Sequence, residues 1–160
     1  QLRLKVDNLM QLRRNLEDRF RRALPAWSSI LLRTGSEPLD RPSEQFLERL
    51  YGILVEHIPD QGFDVEQLAR SLAMSRASLY RRVKELLDTT PVDLLQTVRL
   101  EHAALLLRTE ADTIASIAHR TGFKWAPTFT VRFTSHFGMT PSAYRALHPR
   151  GSTEVATGPE

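Results

Sequence analysis

An internal repeat of about fifty residues constrains this chain more than any other feature. Val65, Leu68-Ala69 and Met74 recur at an offset of 49 as Ile114, Ile117-Ala118 and Phe123. Leu79, Val83, Leu87, Thr90-Pro91 and Leu94 recur at an offset of 50 as Phe129, Phe133, Phe137, Thr140-Pro141 and Tyr144. The one-residue slip falls inside a turn, where an insertion costs least. Two copies of one supersecondary unit therefore account for the segment from Phe63 to Leu147.

The capping residues define each copy. In the first, Asp64 is an N-cap with Gln67 three residues on, a capping-box pattern, and Phe63 with Leu68 forms a hydrophobic staple. That helix runs to about Leu72. Ser75 then caps a second helix that buries Leu79, Val83, Leu86 and Leu87, and Thr90-Pro91 opens a third. In the second copy, Asp112 or Thr113 caps a helix from Ile114 to Thr121, which Gly122 ends in a left-handed C′ position. The next helix begins near Trp125 or Ala126, tolerates Pro127 in its first turn and buries Phe129, Phe133 and Phe137; Thr140-Pro141 opens the last, through Ala146. Two short helices joined by a tight turn, the second helix more basic than the first in the first copy, form a helix-turn-helix unit, whose second helix fits a major groove. Pro91 to about Thr109 reads as one linking helix of roughly 27 Å. That is stiff enough to hold two reading helices about one DNA turn apart, roughly 34 Å.

Outside the repeat, Leu2, Leu9, Leu16 and Ala23 recur every seven residues, an amphipathic helix stopped by Pro25. Residues 25–42 turn to Pro, Ser, Gly and Thr, a linker. Periodicity resumes at Ser43, a candidate N-cap for a helix carrying Phe46, Leu47, Leu50, Ile53, Leu54 and Ile58. The expected architecture is all-α: an amphipathic helix over 1–24, a linker over 25–42, a domain over 43–148 and a flexible tail over 149–160. Within the domain, helix-turn-helix units over 64–88 and 113–138 flank a linker helix over 91–109. The chain opens Gln1-Leu2-Arg3-Leu4-Lys5, without an initiator Met or an apolar signal region, and reads as part of a longer chain.

Charge and composition narrow the function. Net charge is only +3, but Arg76, Arg81, Arg82 and Lys84 fall within nine residues, a cluster suited to a polyanion. There is no cysteine, which excludes a disulfide scaffold, a thiolate metal site and a cysteine nucleophile, and suits a reducing cytoplasm. No apolar run approaches the roughly 20 residues of a membrane span, so no membrane contact is expected. His57, His102, His119, His136 and His148 lack metal-ligand spacing, and Glu101 with Glu110 has no supporting constellation. No cofactor, metal or enzymatic activity is expected.

The segment FDVEQLARSLAMSRASLYRRVKELLDTTPVDLLQTVRLEHAALLL, followed by IASIAHRTGF and FGMTPSAYR, resembles the AraC/XylS family of bacterial transcription regulators. The resemblance covers about residues 46–147. The order of parts is also similar to the output end of hybrid two-component regulators, in which QLRLKVDNLMQLRRNLEDRF would be the last helix of a receiver domain.

The resemblance implies that the second helix of each unit enters the major groove. On the first such helix it offers Arg76, Ala77, Ser78, Tyr80 and Arg81 to bases and Arg82 and Lys84 to phosphates; alternatively Arg82 is solvated and Tyr80 packs. On the second it offers Lys124, Ala126, Pro127, Thr128, Thr130, Val131 and Arg132. This copy departs from the family pattern: apolar or small residues replace polar ones, and Arg132 lies about 100° beyond the expected arginine. Ala126 or Thr130 would meet a thymine methyl, and Trp125 either packs over the DNA backbone or covers the core. The second unit is thus expected to position more than it specifies.

The function implied is sequence-specific binding of double-stranded DNA to regulate bacterial transcription, as the output module of a two-component protein. Its partners would be promoter DNA, RNA polymerase, an upstream receiver or sensor domain, and a second copy through residues 2–24. The competing readings are a helical protein-interaction adaptor and a helical enzyme or ligand-binding domain.

Overall fold

The computed structural model describes residues 40–149, which form seven α-helices. They are α1 (Arg41–Glu56), α2 (Val65–Ser71), α3 (Arg76–Leu87), α4 (Pro91–Thr109), α5 (Ile114–Arg120), α6 (Ala126–Phe137) and α7 (Pro141–Leu147). The heptad helix over 1–24, the linker through residue 39 and the tail beyond Pro149 lie outside the described residues.

α1 begins three residues earlier than the expected cap at Ser43 predicts. Asp40, not Ser43, is its N-cap: the Asp40 carboxylate accepts from the Ser43 amide at 3.2 Å, and Pro42 sits in the first turn. The expected linker therefore loses Arg41 and Pro42 to the helix. Ser43 is buried instead, and its hydroxyl serves another partner.

The repeat is visible in the backbone. α2 and α5 both end in a left-handed residue, Ala73 (φ 54°) and Gly122 (φ 87°), at the same place in each copy. The following amide closes each turn identically: Met74 donates to the Ala69 carbonyl and Phe123 to the Ala118 carbonyl, both at 3.0 Å. α3 and α6 end the same way, at left-handed Asp88 and Gly138. Between the turn and the next cap the second copy carries one more residue, Lys124, which accounts for the slip from 49 to 50.

The capping box on α2 is only half formed. Asp64 accepts from the Gln67 amide at 2.9 Å, but the Gln67 side chain donates to the Gly62 carbonyl at 3.1 Å rather than turning back to Asp64. Thr113, not Asp112, caps α5.

Two apolar cores share α4. The first runs from Leu47 through Leu54, Leu68, Leu79 and Val83 to Val98; the second runs from Leu100 through Leu107, Ile117, Phe129 and Phe133. Phe137 and Tyr144 pack on the second from its edge. Arg99 stands between them, only 5% exposed, and donates to the Asp60 carbonyl at 2.8 Å and the Phe63 carbonyl at 3.3 Å. Burial disfavours its charged form and the nearby Asp60 carboxylate opposes that. Gln61 reaches His119 across the same junction at 2.7 Å. The loop before α2 is thus fastened to both α4 and α5, so the two units are held as one body. With 19 residues, α4 is roughly 28 Å long.

Candidate nucleic-acid interface

The outward face of α3 is built on its cap. Ser75 accepts from the Ser78 amide at 3.1 Å and donates to the Ser78 hydroxyl at 2.9 Å, so Ser78 is spent on starting the helix. Leu79, Val83 and Leu87 anchor the opposite side in the first core. This leaves Arg76, Ala77, Arg81 and Lys84 exposed.

These cations differ in their freedom. Arg76 lies 5.5 Å over the Tyr80 ring, and the neighbouring Tyr80 favours its charged form. Tyr80 is half-buried, so it packs and orients Arg76 at once. Arg81 has no hydrogen bond or ion pair among the described residues. Lys84 meets Asp88 at 2.6 Å, an exposed pair worth little in water and readily exchanged for a phosphate. Arg82 is turned away: it donates to the Ser43 hydroxyl at 3.2 Å and lies 5.5 Å from the Phe46 ring, tying α3 to α1. Its charge also helps hold the Asp40 carboxyl below the usual range, after the larger effect of the Ser43 hydrogen bond.

α6 is anchored by Phe129 and Phe133, both fully buried, but its outer chemistry is different. Trp125 is its N-cap without a side-chain capping bond, and is 63% exposed, so it does not cover the core. The Lys124 ammonium lies 5.5 Å from its ring. Ala126 and Thr130 are half-buried, whereas Pro127, Thr128, Val131 and Arg132 are exposed. Val131 occupies the position that Arg81 holds in the first copy and is 69% exposed. No residue from Ala126 to Phe137 is acidic.

Several acidic side chains elsewhere are paired. Arg120 bridges Glu110 and Asp112, the latter at 2.6 Å, and Glu101 meets His136 at 3.0 Å. Among the described residues no group of His, Asp or Glu is arranged to hold a metal, and no helix is long and apolar enough to cross a membrane. The sequence reading missed Arg99. Its signal was a charged residue flanked by apolar Val98 and Leu100 in the middle of the linking helix.

Two braced helix-turn-helix units that turn basic, acid-poor second helices outward define a DNA-binding protein. A family profile described as a helix-turn-helix domain matches residues 68–147. The chain belongs to that family, in its AraC-type form, the form found in DNA-binding transcription regulators. The AraC-type DNA-binding regulator from Chromobacterium violaceum superposes with a TM-score of 0.64 at 26% identity, covering 70% of this chain and 99% of that one. The DNA-binding domain of AdpA, a global transcriptional factor solved with a target DNA, superposes at 0.59 with 33% identity, covering 64% and 90%. Histidine kinase P4 of Formosa agariphila is 29% identical over 145 residues, 91% of this chain but 10% of that protein.

Proposed function

We propose that this chain is the DNA-reading output region of a bacterial two-component signalling protein, regulating transcription by sequence-specific binding of double-stranded DNA. α3 and α6 enter successive major grooves on one face, with α4 setting their separation. Arg81, Arg76 and Ala77 meet base edges, Lys84 and Lys124 meet phosphates, and Ser78, Tyr80 and Arg82 position the helix that carries the readers. On α6, Pro127, Thr128 and Val131 face the bases and Arg132 the backbone, with Ala126 and Thr130 nearer the core.

The observation that carries this reading is the pair of outward second helices on two units joined through α4 and the loop before α2, with Arg81 free of any partner among the described residues. Its place in a signalling protein is supported by the likeness to a histidine kinase, which covers too much of the chain to be confined to the helix-turn-helix region. An upstream receiver or sensor domain, pairing of two copies through residues 2–24, contact with RNA polymerase and a cytoplasmic location belong to the same proposal.

The test is retention of DNA fragments by the chain at two salt concentrations. Binding that weakens steeply with salt is expected, because each neutralised phosphate releases counterions. No retention at low salt would favour the adaptor reading instead.

A further inference from the structure

We infer that α6 specifies its half-site by reading the 5-methyl group of thymine, with Val131 as the contacting side chain and Pro127 beside it. The inference rests on the major-groove placement of α6 proposed above. Val131 stands where the other copy puts Arg81, and at about 100° per residue it points away from the Phe129–Phe133 side of the helix. Pro127 lies one turn earlier on the same exposed face. Neither side chain can donate or accept a hydrogen bond, so a polar base edge gains nothing from them. The thymine methyl is the apolar feature that base pairs present in the major groove.

Charge decides the occupant of this face. Lys124 precedes the helix, Arg132 adjoins Val131, both are exposed, and α6 has no acidic residue. A face that is apolar at its centre and cationic at its margins complements a groove with a methyl on its floor and phosphates on its walls. The β-branched valine also has few rotamers to lose on contact.

The experiment uses the 160-residue chain and an operator obtained by selection from random duplex DNA. The half-site facing α6 is the one whose base preferences Arg81→Ala leaves intact. Each thymine there is replaced by deoxyuridine, which removes only the methyl. At one or two positions affinity should fall about three- to tenfold, as expected for an apolar carbon returned to water. A cytosine at such a position should bind poorly, and 5-methylcytosine should recover part of the loss. Val131→Ala, checked by its melting curve, should bind thymine and uracil operators equally well.

Uracil tolerated throughout that half-site, or a penalty that persists in Val131→Ala, overturns the inference while leaving DNA binding intact. A chain that selects no sequence and retains no DNA at low salt overturns the inference together with the reading beneath it.

Discussion

Gly122 packs against Arg99 so closely that it has no room for a side chain. A Cβ on Gly122 would lie 2.6 Å from the Arg99 Nε and would strike the Ile58 carbonyl oxygen. The second helix-turn-helix unit is therefore docked, through the turn before α6, on the arginine that also holds the loop of the first. The two helix-turn-helix units are thus joined by a buried polar contact as well as by the linking helix.

The two left-handed turn residues should consequently respond differently to substitution. Gly122→Ala combines a strained φ of 87° with backbone collision and should cost about 2–4 kcal/mol. Ala73→Gly, at φ 54° in the equivalent turn, relieves strain but loosens the unfolded chain, so it should lie within about 1 kcal/mol of the parent. Urea unfolding of both variants measures the contrast. A cost for Gly122→Ala of only about 1 kcal/mol would mean that the φ value alone, and not the approach to Ile58 and Arg99, makes Gly122 necessary.

Arg99→Met keeps the apolar stem but removes the donor of the Phe63 carbonyl and one of the two donors of the Asp60 carbonyl, and should cost about 1–3 kcal/mol. It should also loosen the coupling of the two units, so operators with a base pair inserted between half-sites should be penalised less than for the parent chain. Binding titrations on the spaced operators check this; an unchanged spacing penalty would show that α4 alone sets the separation.

Arg81→Ala and Lys84→Ala separate base reading from phosphate contact. Arg81→Ala should lose about 1–3 kcal/mol on the operator and relax preference at one base pair. Lys84→Ala should weaken operator and random DNA alike and flatten the salt dependence, since it trades an exposed pair with Asp88 for a phosphate. Equal loss on operator and random DNA from Arg81→Ala would remove it from the base readers.

His102 should make the fold sensitive to mild acid. Burial pushes its imidazole below the ordinary 6.5, the Arg120 charge adds to this and Glu110 opposes it, while its Nδ1 is buried without a partner. The unfolded chain therefore takes up the proton first, and stability is full above 6.5 and falls as pH drops through the lower folded value. His102→Gln should flatten the slope of unfolding free energy between about pH 7 and 5. The Glu110 carboxyl, held low chiefly by its hydrogen bond from Arg120, releases its own contribution only below its ordinary 4.5, outside that window. An unaltered slope in the variant would assign the acid sensitivity to another group.

The all-α class, the paired helix-turn-helix units and most caps were legible in the sequence because they rest on local chemistry. Ser75, Thr90 and Thr140 each cap the helix that follows them in sequence, accepting from an amide three residues ahead. The buried positions Leu79, Val83, Phe129 and Phe133 follow from helical spacing alone. The left-handed residue at Gly122 was legible from its type and place after the helix, whereas its counterpart Ala73 was not.

What depended on distant parts of the chain was not legible. Nothing near Arg82 in sequence says that Ser43 and Phe46, some forty residues earlier, turn it from the groove face toward α1. Nothing near Gly122 reveals the Ile58 carbonyl, and only the folded chain brings Arg99 between two cores to meet carbonyls 36 and 39 residues away. Spacing and capping tell which side of a helix is buried. Which neighbour it is buried against, and which cation is thereby left free for DNA, is settled by packing, because a long side chain goes wherever the assembled surface offers its charge a partner.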